Sequence, residues 1–172
     1  NPHFLFNSLN ILDCLVCEEK TEQASVYIHK LAGIYRYMIK SEDEELVKLS
    51  DELVFVGLYV DLLKVRFPEG FEVETAIDED CRNKYILPCS LQLLIENATK
   101  HNSVSGENPL KIRIEARGDE VTICNNIIPK ITKSQSTGLG HKYISRQYLD
   151  LCGKSIDIDI VNDNYCVTLP LI

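Results

Sequence analysis

The chain has 172 residues, of which 45% are hydrophobic, and a formal net charge of -8. That is enough apolar material for one packed domain or a small domain with an appendage. The acidic balance argues against a direct nucleic-acid partner, which needs a basic footprint, and neither a signal peptide nor an apolar run of transmembrane length is visible.

The first residues, Asn1-Pro2-His3-Phe4-Leu5-Phe6-Asn7, read as a helix start. Asn is a good N-cap, and Pro suits the first helical position because its missing N–H would lack a partner there. With no initiator Met, the chain is expected to begin inside a longer protein. Phe4, Leu5, Leu9, Leu12 and Val16 recur at helical spacing and predict an apolar stripe over residues 1–18. His3 and Asn7, four apart, share a face. A second helix is predicted over 22–40, with Ile28, Leu31, Ile34, Tyr35 and Met38 on one face. Two such helices bury little alone, so pairing with a second copy as a four-helix bundle is expected. The run Ser41-Glu42-Asp43-Glu44-Glu45 reads as a solvated linker and divides the chain into 1–45 and 46–172.

Ser50 is placed to cap the next helix, with Asp51 and Glu52 facing its dipole and a Leu49–Val54 staple. Leu53, Val56, Val60, Leu63 and Phe67 form its expected stripe, and Pro68 and Gly70 end it. A strand over 71–77 and a helix over 89–101 follow. Leu110–Ala116 and Val121–Cys124 read as a hairpin. A polar stretch over 129–140 leads into a helix to Cys152, then strands 155–161 and 165–171. The order predicts an α+β fold: a helical hairpin, then helices on one face of a mixed, mostly antiparallel sheet.

The seven cysteines are odd in number and irregularly spaced, which predicts reduced thiols used as small hydrophobes. The lone Cys14-x-x-Cys17 has no second pair to complete a zinc site, so core packing is expected there.

Three segments carry chemistry. His3 opens the first helix. On the 89–101 helix, Leu91, Leu94, Ile95 and Ala98 form the core face, while Asn97 and His101 share another. A mid-helix Asn among apolar residues is poor helix chemistry and costs free energy when buried without partners. Its carbonyl oxygen is a hard ligand suited to Mg²⁺, and Lys100 can reach a phosphate. Ser136-Thr137-Gly138-Leu139-Gly140-His141 puts two glycines before a helix whose free N–H groups favour an anion. It is neither a P-loop nor a Rossmann fingerprint, because the following Lys-Ser/Thr and the third glycine are missing.

In this order, Asn-Pro-His-Phe-Leu-Phe-Asn, Ile-Glu-Asn-Ala-Thr-Lys-His and Thr-Gly-Leu-Gly closely resemble the LytS-like class of sensor histidine kinases, over nearly the whole chain. Leu31-Ala32-Gly33-Ile34-Tyr35-Arg36-Tyr37 fits that class's second helix, and Tyr59 with Arg66-Phe67 fits as well. The resemblance implies a dimeric phosphoacceptor segment in 1–45 and a Bergerat-type ATP-binding domain in 46–172, with ATP and Mg²⁺. It makes His3 the phosphoacceptor and Asn97 the residue that holds Mg²⁺ between the phosphates. Gly138 and Gly140 would end the ATP lid and help hold the phosphates, with Thr137, Leu139, Lys100, His101 and His141 also at the nucleotide. The family's next step is transfer to an aspartate of a response regulator, often of LytTR type. The parent is then a membrane-anchored sensor and this chain its cytoplasmic part.

Two positions depart from the wider superfamily. Its adenine-binding Asp-x-Gly-x-Gly is replaced by Cys124-Asn125-Asn126-Ile127-Ile128, where Asn125 is the candidate acceptor for the adenine amino group. Its hydrolytic members carry a glutamate four residues before the Mg²⁺-binding asparagine, and Leu93 stands there. Leucine cannot activate water, which argues for transfer to a histidine. Glu96 is the candidate orienter or base for His3, and Asn7 the candidate for positioning water during dephosphorylation of the regulator. The alternatives are a degenerate nucleotide-binding module and a hydrolytic ATPase of the same fold.

Overall fold

The computed structural model describes residues 2–130 and 139–172. Two helices, α1 (Pro2–Cys17) and α2 (Thr21–Ser41), form an antiparallel hairpin turned by Glu19 in the left-handed region. The acidic residues Glu42–Glu45 that follow are exposed, as their charge requires. A two-residue strand β1 (Val47–Lys48) leads into α3 (Leu49–Arg66), then β2 (Phe71–Ile77), a 3₁₀ turn (Glu79–Cys81) and β3 (Tyr85–Ile86). Next come α4 (Ser90–His101), the hairpin β4 (Leu110–Arg117) and β5 (Glu120–Asn126), α5 (Leu139–Cys152), and the hairpin β6 (Asp157–Val161) and β7 (Asn164–Pro170).

The main sheet runs β2-β4-β5-β7-β6, with β2 and β4 parallel and the other neighbours antiparallel. Strict alternation sets its two faces. Leu110, Ile112, Ile114 and Ala116 of β4, with Val121, Ile123, Val167 and Leu169, are buried beneath the helices. Lys111, Arg113 and Arg117 point the other way, into solvent. The α+β class, with a mixed and mostly antiparallel sheet, is therefore present. A second, two-stranded ladder pairs β1 with β3, and two residues per strand carry no periodicity to reveal it.

Several local expectations are corrected. Helix α3 begins at Leu49 and Ser50 lies inside it; Lys48 takes the N-cap position and no side chain caps it. The staple does not form, because Leu49 is buried while Val54 is 69% exposed. Leu53 is only partly buried, and Phe55, Tyr59 and Leu62 join Val56, Val60 and Leu63 inside. This helix is covered on two sides, by α2 and by the sheet, so its buried arc is wider than one stripe. On α1 the inward residues are Phe4, Ser8, Ile11, Leu12 and Leu15, whereas Leu5, Leu9 and Val16 are exposed.

The cysteine expectation also fails in part. Cys124 and Cys166 face each other across β5 and β7 and form a disulfide. They sit on the outer sheet face beside the hydrogen-bonded pair Thr122–Thr168. Of the free cysteines, Cys81 is buried, Cys89 and Cys152 are partly so, and Cys14 and Cys17 are exposed on α1 rather than in the core. Thiol titration of the unfolded, unreduced protein is expected to find the five cysteines Cys14, Cys17, Cys81, Cys89 and Cys152; seven reactive thiols would refute the pairing.

Candidate functional site

Helix α4 organises the site. Leu91, Leu94, Ile95 and Ala98 are buried on its core face, against the sheet and α5. That anchoring turns Glu96, Asn97, Lys100 and His101 toward a cavity of about 530 Å³ between α4, β5, β7 and the start of α5. The volume is in the range of a small-molecule or cofactor site. Asn125 lines the cavity from β5, with Gly140 and His141 from the first turn of α5.

Most of the expected nucleotide-site residues are therefore brought together: Asn97, Lys100, His101, Asn125, Gly140 and His141, with Glu96 beside them. Thr137 and Gly138 lie outside the described residues, and Leu139 opens α5. His3 is exposed and Asn7 half-buried on α1, and neither lines the cavity. A contact path nevertheless joins the two parts. Phe4 packs on Tyr59 with ring centroids 5.3 Å apart. The Tyr59 hydroxyl lies beside the Gln92 side chain, and Gln92 Nε2 donates to Glu96 Oε2 at 3.1 Å.

Asn97 is the unusual group. Its Nδ2 is buried and has no hydrogen-bond partner among the described residues. An orphaned buried amide costs roughly 1–3 kcal/mol and calls for a reason, such as an absent ligand. Asn125 is buried, and its Nδ2 donates to the Asn126 carbonyl at 2.9 Å. Burial first, then Lys100 and Lys130, lowers the His101 pKa; burial and then His101 lowers that of His141. Both imidazoles are thereby kept neutral at pH 7, leaving Lys100 as the positive charge among the described cavity residues.

Other contributors were not singled out from sequence. Tyr165 of β7 lines the cavity beside Asn125, its register partner, and its ring meets His141 edge-on at 5.7 Å. Asn102 is buried and ties α4 to the segment after β5: its Nδ2 donates to the Ala98 carbonyl, and its Oδ1 accepts from the Ile128 amide at 2.8 Å. The Lys130 ammonium donates to the Thr99 and Lys100 carbonyls, where the helix dipole favours a cation. A strand partner is invisible without its register. The Asn following Lys100-His101 was a C-cap signal that could have been read.

Residues 1–71 match the sequence profile of the Histidine kinase family. Sensor protein LytS of Bacillus cereus is 36% identical over 101 residues, covering 59% of this chain and 17% of LytS. The chain is similar to the LytS-like sensor histidine kinases. Sensor histidine kinase BtsS of Escherichia coli K12 is 28% identical over 180 aligned positions, which take in 99% of this chain and 31% of BtsS. The chain thus spans under a third of the length of these curated relatives. The fold is shared with the cytoplasmic segment of histidine kinase QseC, at a TM-score of 0.53 and 13% identity, over 88% of this chain and 93% of that one.

Within this LytS-like core, Gly140 and Asn97 are in close approach. A Cβ on Gly140 would lie 2.9 Å from Asn97 Nδ2 and 3.4 Å from its Oδ1. Alanine there would push the Asn97 amide away. Inside a helix, however, Gly→Ala otherwise stabilises by roughly 0.5–1 kcal/mol. On the nucleotide-site expectation, Gly140→Ala is expected to weaken nucleotide binding about tenfold or more by displacing the Asn97 amide, while the helix gain offsets the overpacking and leaves the unfolding temperature nearly unchanged. Calorimetric titration and thermal unfolding check the two halves.

Proposed function

We propose that the chain is the core of a two-component sensor histidine kinase, which moves the γ-phosphoryl group of ATP to His3 and from there to an aspartate of a response regulator. One observation carries the reading: the Asn97 amide, whose buried Nδ2 has no hydrogen-bond partner among the described residues, sits in the cavity against Gly140 at the start of α5. An amide oxygen there fits Mg²⁺, which takes few protein ligands and keeps several waters. When bound, the ion neutralises phosphate charge during transfer.

The chain's own residues do the rest. Asn97 holds the metal through its carbonyl oxygen, and Lys100 binds phosphate. The N-terminus of α5, with Leu139 and Gly140, binds the phosphates, where free N–H groups favour an anion, and Thr137 and Gly138 join it there. His101 and His141 border the nucleotide, and Asn125 accepts from the adenine amino group in place of the family's aspartate. A lone pair on the His3 imidazole forms the N–P bond as the γ-phosphorus bond to the bridging oxygen breaks and ADP departs. Glu96, the endpoint of the Phe4–Tyr59–Gln92 path, orients the ring or takes its proton. Asn7, a turn from His3, positions water when the regulator is dephosphorylated. Leu93 lines the cavity where a water-activating glutamate would stand, which favours transfer over hydrolysis.

The exposed apolar side chains Leu5, Phe6, Leu9 and Val16 on α1 support a homodimer formed through the hairpin in residues 1–45. The regulator is of LytTR type, and the parent is a membrane-anchored sensor with residues 46–172 as its cytoplasmic ATP-binding domain. The test is incubation with Mg²⁺ and γ-labelled ATP. Acid-labile, alkali-stable protein label supports the kinase. Steady phosphate release without label would replace it with an ATPase, and nucleotide binding alone with an inactive module.

A further inference from the structure

Glu52 is a carboxylate that the kinase chemistry leaves unused. It lies in the first turn of α3 with 0% of its surface exposed, where carboxylates are rare unless paired. Its oxygens accept from groups on two other parts of the fold. Oε2 takes the Tyr37 hydroxyl of α2 at 2.5 Å and the Cys89 amide at 3.0 Å, and Oε1 takes the Leu91 amide at 3.3 Å. Those amides belong to the start of α4. Its N-cap, Cys89, is in the left-handed region at φ 61° and makes no side-chain cap. Glu52 therefore fills from α3 the place of the missing cap, where orphan N–H groups need an acceptor and the dipole favours an anion. Burial pushes the carboxyl up to about 7, against the pull of the three hydrogen bonds. The ionisable groups around it are Tyr37, the Cys89 thiol and Tyr148 of α5, with Asp51 on its own helix.

Tyr37 belongs to the hairpin that carries His3, and its ring stacks on Phe55 at 4.3 Å. Helix α4 carries Glu96 and Asn97 two turns from the capped end. We propose that Glu52 is a positioning residue: through the Tyr37 hydroxyl it ties the phosphoacceptor hairpin to the N-terminus of the helix that presents Glu96 and Asn97. A shift of α2 then moves or loosens α4. The proposal rests on the kinase reading for its consequence, while the mechanical tie is independent of it.

Tyr37→Phe separates this role from mere stability. It removes one hydroxyl, keeps the ring on Phe55 and leaves Glu52 its two backbone donors. In hydrogen exchange, protection over residues 89–97 is expected to fall about tenfold, the scale of one lost hydrogen bond, with β4 and β5 unchanged. Autophosphorylation at saturating ATP is expected to fall about tenfold with the ATP KM unchanged. Unaltered exchange in α4 would overturn the tie. Lost protection with a normal phosphorylation rate, or a defect confined to KM, would overturn the positioning role. If the unmutated protein takes no label, the kinase reading fails, and the exchange comparison still decides whether Glu52 joins the two helices.

Discussion

Replacing His3 with alanine is expected to remove acid-labile label from the protein while nucleotide affinity stays at the wild-type level. The two readouts separate because His3 and the cavity lie on different elements. His3 is an exposed residue in the first turn of α1, and the cavity is built from α4, β5, β7 and α5. Loss of an exposed side chain leaves stability within about 0.5 kcal/mol. In the proposed reaction His3 supplies the atom that forms the new bond, and label should drop by at least about a thousandfold, as when a catalytic nucleophile is deleted. A filter assay with acid and alkali washes measures the first, and titration with a non-hydrolysable ATP analogue the second. Label that survives in His3→Ala would move the acceptor elsewhere.

Where the sequence could be read, it was read through periodicity. Alternation from Leu110 to Ala116 marks β4, and helical spacing of Leu91, Leu94, Ile95 and Ala98 marks the buried face of α4. Once that face is inward, Asn97 and Lys100 must look elsewhere, and they look into the cavity. Helix α1 shows the limit. Its apolar residues cover well over half its circumference, so spacing predicts a helix without saying which side is inward. The neighbours α2 and α3 decide that, choosing Phe4, Ile11 and Leu15 over Leu5, Leu9 and Val16.

Pairings between distant segments were the other gap. Cys124 and Cys166 are 42 residues apart and meet because β5 and β7 pair in one register. The same register sets Tyr165 opposite Asn125. Glu52 looked like an acid placed for its own helix dipole, an expectation that needs only local neighbours. The structure gives its charge to a different helix, through donors at Cys89 and Leu91. A one-dimensional pattern holds no trace of that third element.

Asn97→Ala carries the sharpest division between function and stability. Most buried polar residues stabilise through their hydrogen bonds, and their removal unfolds a fraction of the protein. Among the described residues Asn97 Nδ2 has no such partner, so alanine sheds a desolvation cost of roughly 1–3 kcal/mol and gives back a similar amount as lost packing. Alanine is also the better helix former. The unfolding temperature is therefore expected to stay within about 4 °C of wild type or to rise, since 1 kcal/mol corresponds to roughly 2–4 °C in a chain of this size. Activity should move the other way. On the proposed function the amide oxygen is the hard ligand for Mg²⁺, and losing a direct ligand should cost at least about 100-fold in Mg²⁺-dependent labelling, the upper end for an outer-shell partner alone. Differential scanning calorimetry beside the labelling assay gives both numbers on one preparation. A variant that unfolds early and still labels at the normal rate would make Asn97 a structural residue and leave the cavity without its metal ligand.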